Sequence, residues 1–298
     1  MSKVTIATHN GGFHSDDVFA VATLELYLAQ QGVEDIEVVR TRDEAVISEA
    51  DYVVDVGAVY DPAEKRFDHH QKDSPAPREN GVPYASFGLV WKEYGAEICG
   101  GEATAQVIDE KLVQPIDGPD NGVFLSGPPE IEGVYPYFLG NVVSVFNPTW
   151  KEDADVVDER FLQLVEWAKV LLQREISVIK DVLEGEELTR KAYEAAEDKR
   201  LIYLEPKTPW KHVLKELPEP ILVIYSNSEG RWRLYAVPEK DFSFSFAFPE
   251  EWRGKRGKEL EEVAGVDGAI FCHRSLPMIV AETKEAVEQL AQKVLDSQ

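Results

Sequence analysis

Val4-Thr5-Ile6-Ala7-Thr8-His9-Asn10-Gly11-Gly12-Phe13-His14-Ser15-Asp16-Asp17 is the stretch whose reading decides the fold. Val4–Thr8 is a short run rich in β-branched and apolar residues, and it reads as a first strand. Ser15 can cap a following helix, with Asp16 and Asp17 in the first turn, where acidic groups suit the helix dipole. Val18, Ala22, Leu24, Leu26 and Leu28 then carry a mostly buried helix to about Gln31. Ile36–Arg40 reads as a second strand, Glu44–Glu49 as a short helix and Tyr52–Val56 as a third strand. Strands alternating with helices at this pitch predict an α/β domain, a mostly parallel sheet with helices on both faces. Open sheets of this kind place ligands beyond the carboxyl ends of their strands. His9, Asp55 and Asp68–His70 all fall at or just after strand-like runs, so one shared cleft is expected.

Further along, Ser86–Tyr94 and Glu102–Gln114 read as helices, and Gly127-Pro128-Pro129 marks a loop. Asp155–Leu183 carries Val157, Phe161, Leu164, Val165, Ala168, Leu171, Leu172, Ile176 and Ile179 at helical spacing, with an extension from Glu187 to Ala196. The pattern then changes. Ile221–Ser226 and Arg231–Val237 read as a hairpin around Asn227-Ser228-Glu229-Gly230. Lys258–Ala264 and Lys284–Leu295 read as helices, and Ala269–Cys272 and Met278–Ala281 as strands. The expected organisation is an α/β domain over 1–150, linker helices over 151–200, and a smaller α/β domain over 201–298.

With 298 residues and 44% hydrophobic content, the chain can build one large core or two ordinary ones. It contains no apolar run of about 18 residues, so no membrane span is expected. The N-terminus runs straight into a strand, and Cys99 and Cys272 are isolated. Both features lead us to expect a cytoplasmic protein with reduced thiols. The formal net charge is −24. A reader of long duplexes shows a basic footprint, which this chain lacks globally.

Four of the six histidines, His9, His14, His69 and His70, lie in the first 70 residues beside aspartates. His14 and Asp16, two apart, can point the same way from an extended turn. Asp55 lies in Val53-Val54-Asp55-Val56-Gly57, and Asp117 and Asp120 lie in Ile116-Asp117-Gly118-Pro119-Asp120-Asn121-Gly122. Taken singly, these residues have plainer explanations: His9 as a cap or core histidine, Asp16 as a helix-terminal charge, Asp68 as a carboxylate orienting His69. Asp55 among valines is harder to explain, because an unpartnered buried carboxylate is costly. Together, His9, His14, Asp16, Asp55, His69 and Asp117 or Asp120 form a candidate ligand set for two divalent cations about 4 Å apart, which can clamp a phosphoryl oxygen. Mixed imidazole and carboxylate ligation suits Mn²⁺, Fe²⁺, Co²⁺ or Zn²⁺ better than Ca²⁺. Trp252, Arg253, Lys255, Arg256 and Lys258 form one dense basic-aromatic cluster, which suits a phosphate and a stacked base and equally suits a solvated loop with a packed Trp.

The order His…His-x-Asp, an Asp in a valine-rich strand, Asp68-His69-His70 and a later Asp resembles the DHH phosphoesterase superfamily. More closely, Thr8-His9-Asn10-Gly11-x-Phe13-His14-x-Asp16, Arg66-Phe67-Asp68-His69-His70-Gln71, Asp117-x-x-Asp120-Asn121-Gly122, Asn147-Pro148-x-Trp150, Pro249-Glu250-x-Trp252-Arg253-Gly254 and Phe271-x-His273 resemble the Myg exonuclease family. The resemblance covers nearly the whole chain. It implies a DHH-type fold and a metal-dependent 3′–5′ exonuclease. It also implies two divalent metal ions, with Mn²⁺ the expected identity, held by His9, His14, Asp16, Asp55 as bridging ligand, His69, and Asp117 or Asp120, of which Asp117 is slightly favoured. By the same resemblance His70 faces the phosphate, Asp68 joins Asp55 and His70 in the catalytic group, and His273 and Arg274 join Arg253 and Arg256 as substrate contacts. After His273 the chain runs Arg274-Ser275-Leu276-Pro277, where superfamily members often carry a Gly-Gly pair.

The expected activity is two-metal hydrolysis of short single-stranded RNA or DNA. The alternatives are another phosphoester or anhydride (a cyclic dinucleotide, a nucleoside phosphate, pyrophosphate) or a catalytically silent metal-binding protein. The expected partner is a short nucleic acid or nucleotide substrate, no membrane partner is expected, and a homodimer is allowed.

Overall fold

The computed structural model describes residues 3–72, 75–241, 243, 248–275 and 277–297. Met1 and Ser2 ahead of the first strand, and Leu276 in the stretch after His273, lie outside the described residues. The chain divides into two compact units, Met1–Lys180 and Asp181–Gln298.

In the first unit, β1 (Val4–Thr8) leads through the quoted loop into α1 (Ser15–Gln30), then β2 (Ile36–Arg40), α2 (Glu44–Glu49) and β3 (Tyr52–Val54). Two further strands, β4 (Tyr60–Asp61) and β5 (Arg66–Phe67), are too short to show a period in the sequence. The sheet order is β2-β1-β3-β5-β4, parallel throughout except for the antiparallel β4–β5 pair. Ala7, Val53 and Val56 pack with Ala50 and Ile47 of the α2 region on one face. Tyr52 points the other way, 6.3 Å between ring centroids from Tyr94 of α3 (Ser86–Cys99). Successive strand residues alternate faces, so both faces are apolar and helices cover both. Within the core, Phe19 of α1 meets Phe87 of α3 at 5.5 Å.

Three boundaries differ from the sequence expectation. β3 stops at Val54, because Asp55 takes φ 56, outside the strand region. α1 is capped at His14 rather than Ser15, and the His14 N–H donates to Asp17 Oδ1 at 3.0 Å. The expected helix end at Gln114 is a continuation: α4 (Glu102–Ile108) passes through a π-helical turn, Asp109–Val113, into α5 (Gln114–Asp120). Pro115 follows directly on the π-helical turn. Asp117 and Asp120 therefore lie in a helix rather than after one. α6 (Leu139–Ser144) and then α7 (Val157–Ala195) follow, and α7 is one unbroken helix in which the unit boundary falls.

The second unit adds β6 (Leu201–Tyr203), α8 (Lys211–Leu214), β7 (Leu222–Ser226), β8 (Trp232–Ala236), α9 (Lys258–Ala264), β9 (Ala269–Cys272), β10 (Met278–Ala281) and α10 (Lys284–Asp296). The order is β6-β7-β8-β10-β9, with only β6–β7 parallel. Leu222 and Ile224 join one core with Val287, Leu290 and Val294 of α10, while Val223 and Tyr225 join another with Trp210 and Val213. That alternation explains why β7 reads as a continuous apolar run. Among the described residues, no helix is long and apolar enough to cross a membrane.

Candidate metal centre

Strand register alone lines up the first members of the site. Ala7 pairs with Val53, and Val54 pairs with Phe67. The residues at the carboxyl ends of β1, β3 and β5 follow in step, so His9, Asp55 and Asp68 emerge close together at one edge of the sheet. All three are buried. The Asp55 backbone N–H donates to Phe67 O at 3.2 Å, and its left-handed φ turns the carboxylate away from the strand line. A non-glycine residue in that region is uncommon and concentrates at functional sites.

The Asp55 carboxylate reaches every imidazole of the cluster. Its Oδ2 lies 3.3 Å from His9 Nε2 and 3.6 Å from His14 Nε2. Its Oδ1 lies 3.5 Å from both His69 Nε2 and His70 Nδ1. Asp120 completes the ring, 3.2 Å from His14 Nδ1 and 3.2 Å from His69 Nε2. Asp17 Oδ2 lies 3.1 Å from His9 Nε2. Three groups of ligand-type atoms, each within 4.8 Å of one another, result: His9, His14 and Asp17; Asp55, His69 and His70; His14, Asp16 and Asp120.

Donor chemistry and geometry both fit a cation. His9 Nε2, His14 Nδ1, Asp17 Oδ2 and Asp55 Oδ2 are buried without a well-directed hydrogen bond, although each lies near the others. Atoms that converge on a common point rather than on each other look like this. Burial opposes charge on His9, but the Asp17 and Asp55 carboxylates beside Nε2 outweigh it and raise its pKa to about 10. Burial likewise opposes charge on His69, and hydrogen bonds to Asp120 and Asp55 raise it to about 11. For Asp120, burial is outweighed by hydrogen bonds from His14 and His69, which bring it down to about 2. Asp16 goes the other way: burial, then repulsion from Asp55, Asp120 and Asp117, holds it well above the usual carboxylate range. Positive charge is in demand throughout the pocket.

Of the sequence-predicted ligands, Asp16 stays in the cluster while also bonding the start of α3, and Asp117 stands apart from it. Asp16 Oδ1 and Oδ2 accept the N–H groups of Phe87 and Ser86 at 2.7 and 3.1 Å, at the N-terminus of α3. Asp117 is fully buried against Arg78 at 2.8 Å and the Gly88 N–H at 3.1 Å. It is Asp120, one turn on, that faces His14 and His69. A Cβ at Gly88 would lie 1.8 Å from Asp117 Oδ2, so only glycine lets α3 approach. Asp68 does not orient His69: its Oδ1 lies 2.7 Å from His70 Nδ1, and its Oδ2 accepts the Ala58 N–H at 2.6 Å. The outer nitrogen of His69 meets Asn121 Oδ1 at 3.3 Å instead. His70 is exposed, with its Nδ1 turned to Asp68.

Asp17, Asn121, Asn147 and Arg40 went unremarked as site residues. Asp17 had a sequence signal, being the second of two adjacent aspartates. Asn147 grips the backbone of the ligand loop, its Oδ1 accepting the Phe13 N–H at 2.9 Å and its Nδ2 donating to Phe13 O at 2.8 Å. Arg40 donates to Gly11 O at 2.8 Å and stacks 4.6 Å from the Phe161 ring. Asn147→Ala should weaken metal binding by roughly 10- to 100-fold while the melting temperature changes little. Calorimetric titration with Mn²⁺ checks this, and unchanged affinity would show that the clamp is dispensable.

In the second unit, Arg253, Arg256, His273 and Arg274 collect around β9. The Gly254 N–H donates to Cys272 O and the Cys272 N–H to Lys255 O. Arg256 sits 4.4 Å from the Phe271 ring, and His273 Nδ1 accepts the Ser275 N–H at 3.0 Å. Trp252, which the sequence leaves open as a stacking surface or a packed residue, is 4% exposed and belongs to the core with Leu260 and Cys272, so it offers no face to a base.

A family model described as "Uncharacterised protein family (UPF0160)", titled for MYG1 exonucleases, matches residues 5–295. The chain is 31% identical to a "MYG1 protein" of Dictyostelium discoideum, over 99% of this chain and 98% of that one. It is 30% identical to a "MYG1 exonuclease" of Homo sapiens, over 99% of this chain and 86% of that one. A Caenorhabditis elegans "MYG1 protein" is 32% identical, over 98% and 95%. No solved structure matches.

Proposed function

The chain belongs to the MYG1 exonuclease family, and on that premise we propose that it is a metal-dependent phosphodiesterase that trims short single-stranded RNA or DNA from the 3′ end. The observation that carries the reading is the convergence of four imidazoles on the single carboxylate of Asp55, at the carboxyl ends of parallel strands. The order of the ligand motifs supports placing the chain in the DHH phosphoesterase superfamily.

His9, His14, Asp16, Asp17, Asp55, His69 and Asp120 would hold a pair of divalent cations, Mn²⁺ in our proposal. Bound there, such ions would neutralise charge on the phosphoryl group and acidify a water. The protein's own groups do the rest. Asp68 accepts from His70 Nδ1, which fixes the orientation of the imidazole beside the metal centre. The left-handed turn at Asp55 and the Asn147 grip on Phe13 keep the ligand loops fixed before substrate arrives. Arg253, Arg256, His273 and Arg274 are proposed as contacts to the strand's phosphates. A net charge of −24 supports short substrates over long duplexes.

The test is hydrolysis of a 5′-labelled single-stranded RNA of a few nucleotides with Mn²⁺, beside pyrophosphate and a cyclic dinucleotide. Stepwise shortening from the 3′ end, abolished by chelation, is expected. Hydrolysis of pyrophosphate alone, or metal binding without turnover of any phosphodiester, would defeat the proposal.

A further inference from the structure

Beside the metal centre a cavity of about 860 Å³ opens toward the β2–α2 connection, within the roughly 300–1,000 Å³ typical of small-molecule sites. His14, Asp55 and His70 line one side, Ile47, Val53 and Val56 give it an apolar floor, and two cations, Arg42 and Arg66, line it from separate elements. Arg42 stands between β2 and the Asp43 cap of α2, and among the described residues it has no hydrogen-bond or ion-pair partner. Arg66 is half-buried on β5, and its guanidinium donates to Asp51 O through Nη1 at a long 3.4 Å. That contact uses one of its five N–H donors and leaves the others available. Glu44 and Asp68 are the acidic lining residues besides Asp55, and Asp68 is turned to His70.

We propose that this cavity is a nucleotide seat in which Arg42 and Arg66 bind a second, non-reacting phosphate on the nucleotide being released. The proposal rests on the phosphodiesterase reading for the position of the reacting phosphate. The apolar floor accepts the flat face of a base or sugar, which binds by area and carries no charge. A terminal phosphate monoester is a dianion with three acceptor oxygens, and two guanidinium forks arriving from different directions match it. In a chain with net charge −24, two arginines lining one cavity beside a metal centre are a local concentration of positive charge. The arrangement favours ends that carry a terminal phosphate over ends with a free hydroxyl.

The experiment is calorimetry of the full chain with Mn²⁺, titrated with a nucleoside 3′,5′-bisphosphate and with the matching 5′-monophosphate. The wild type should bind the bisphosphate roughly 10- to 100-fold more tightly, the worth of a charge-assisted contact. Arg42→Ala and Arg66→Ala should each erase most of that preference, and Arg42→Lys should restore part of it. Equal affinity of the wild type for both ligands, or a preference untouched in both alanine variants, would overturn the site. A preference that the variants erase, in a protein that cuts no phosphodiester, would support the site and refute the exonuclease reading. Phosphodiester cleavage with no bisphosphate preference would do the reverse.

Discussion

Asp55→Asn should lower metal-dependent turnover by roughly a thousandfold or more, because cation-assisted charge stabilisation is worth several kcal/mol at about 1.4 kcal/mol per tenfold. Its carboxylate is the one that reaches His9, His14, His69 and His70 together, with the Ser86 hydroxyl donating to Oδ1 at 3.4 Å. Burial works against its charge, yet hydrogen bonds from His69 and His9 hold it well below the usual carboxylate range. The amide keeps the shape, removes the anion and turns an NH₂ toward the imidazoles. Asparagine is a better probe than alanine here, since it tolerates the φ of 56 that the position demands. Initial rates and Mn²⁺ stoichiometry should both fall, while far-UV circular dichroism stays that of the wild type. Wild-type rates in this variant would remove Asp55 from the mechanism.

Arg78→Ala should be the most damaging change to stability near the site, at about 3–5 kcal/mol, the cost of breaking a buried pair from one side. Arg78 binds Asp109 at 2.6 Å and Asp117 at 2.8 Å and lies 4.0 Å from the Tyr84 ring. Even with that neighbour, burial pushes Asp117 up to about 7. The alanine variant leaves the carboxylate in a dry pocket, pressed against Gly88. Because α5 carries both Asp117 and Asp120, metal affinity should fall as well. Lysine should rescue little, as it lacks the fork that spans two carboxylates. Urea titration measures the loss, and a value under about 1 kcal/mol would mean that water or a rearranged side chain takes Arg78's place.

Much of the α/β architecture was legible because its signals are local. Val4–Thr8, the buried face of α1 and the Leu222–Ser226 and Trp232–Ala236 hairpin each announce themselves over a few residues. The pairs β4 and β5 were not legible, because two residues cannot display a period. The sequence leaves Trp252 open, because an aromatic among arginines looks alike whether it faces solvent or the core, and here it faces the core.

The order of histidines and aspartates, by itself, determined which residue types could meet and which chemistry they suit, since ligand character belongs to the side chain alone. Which oxygen points where was decided only by tertiary structure. Asp16 and Asp17 are neighbours, yet one accepts from the start of α3 and the other turns to His9. Asp117 and Asp120 lie about one turn apart on α5, yet one is buried on Arg78 and the other faces two histidines. Such choices depend on elements distant in sequence, and no local pattern records where those elements will pack.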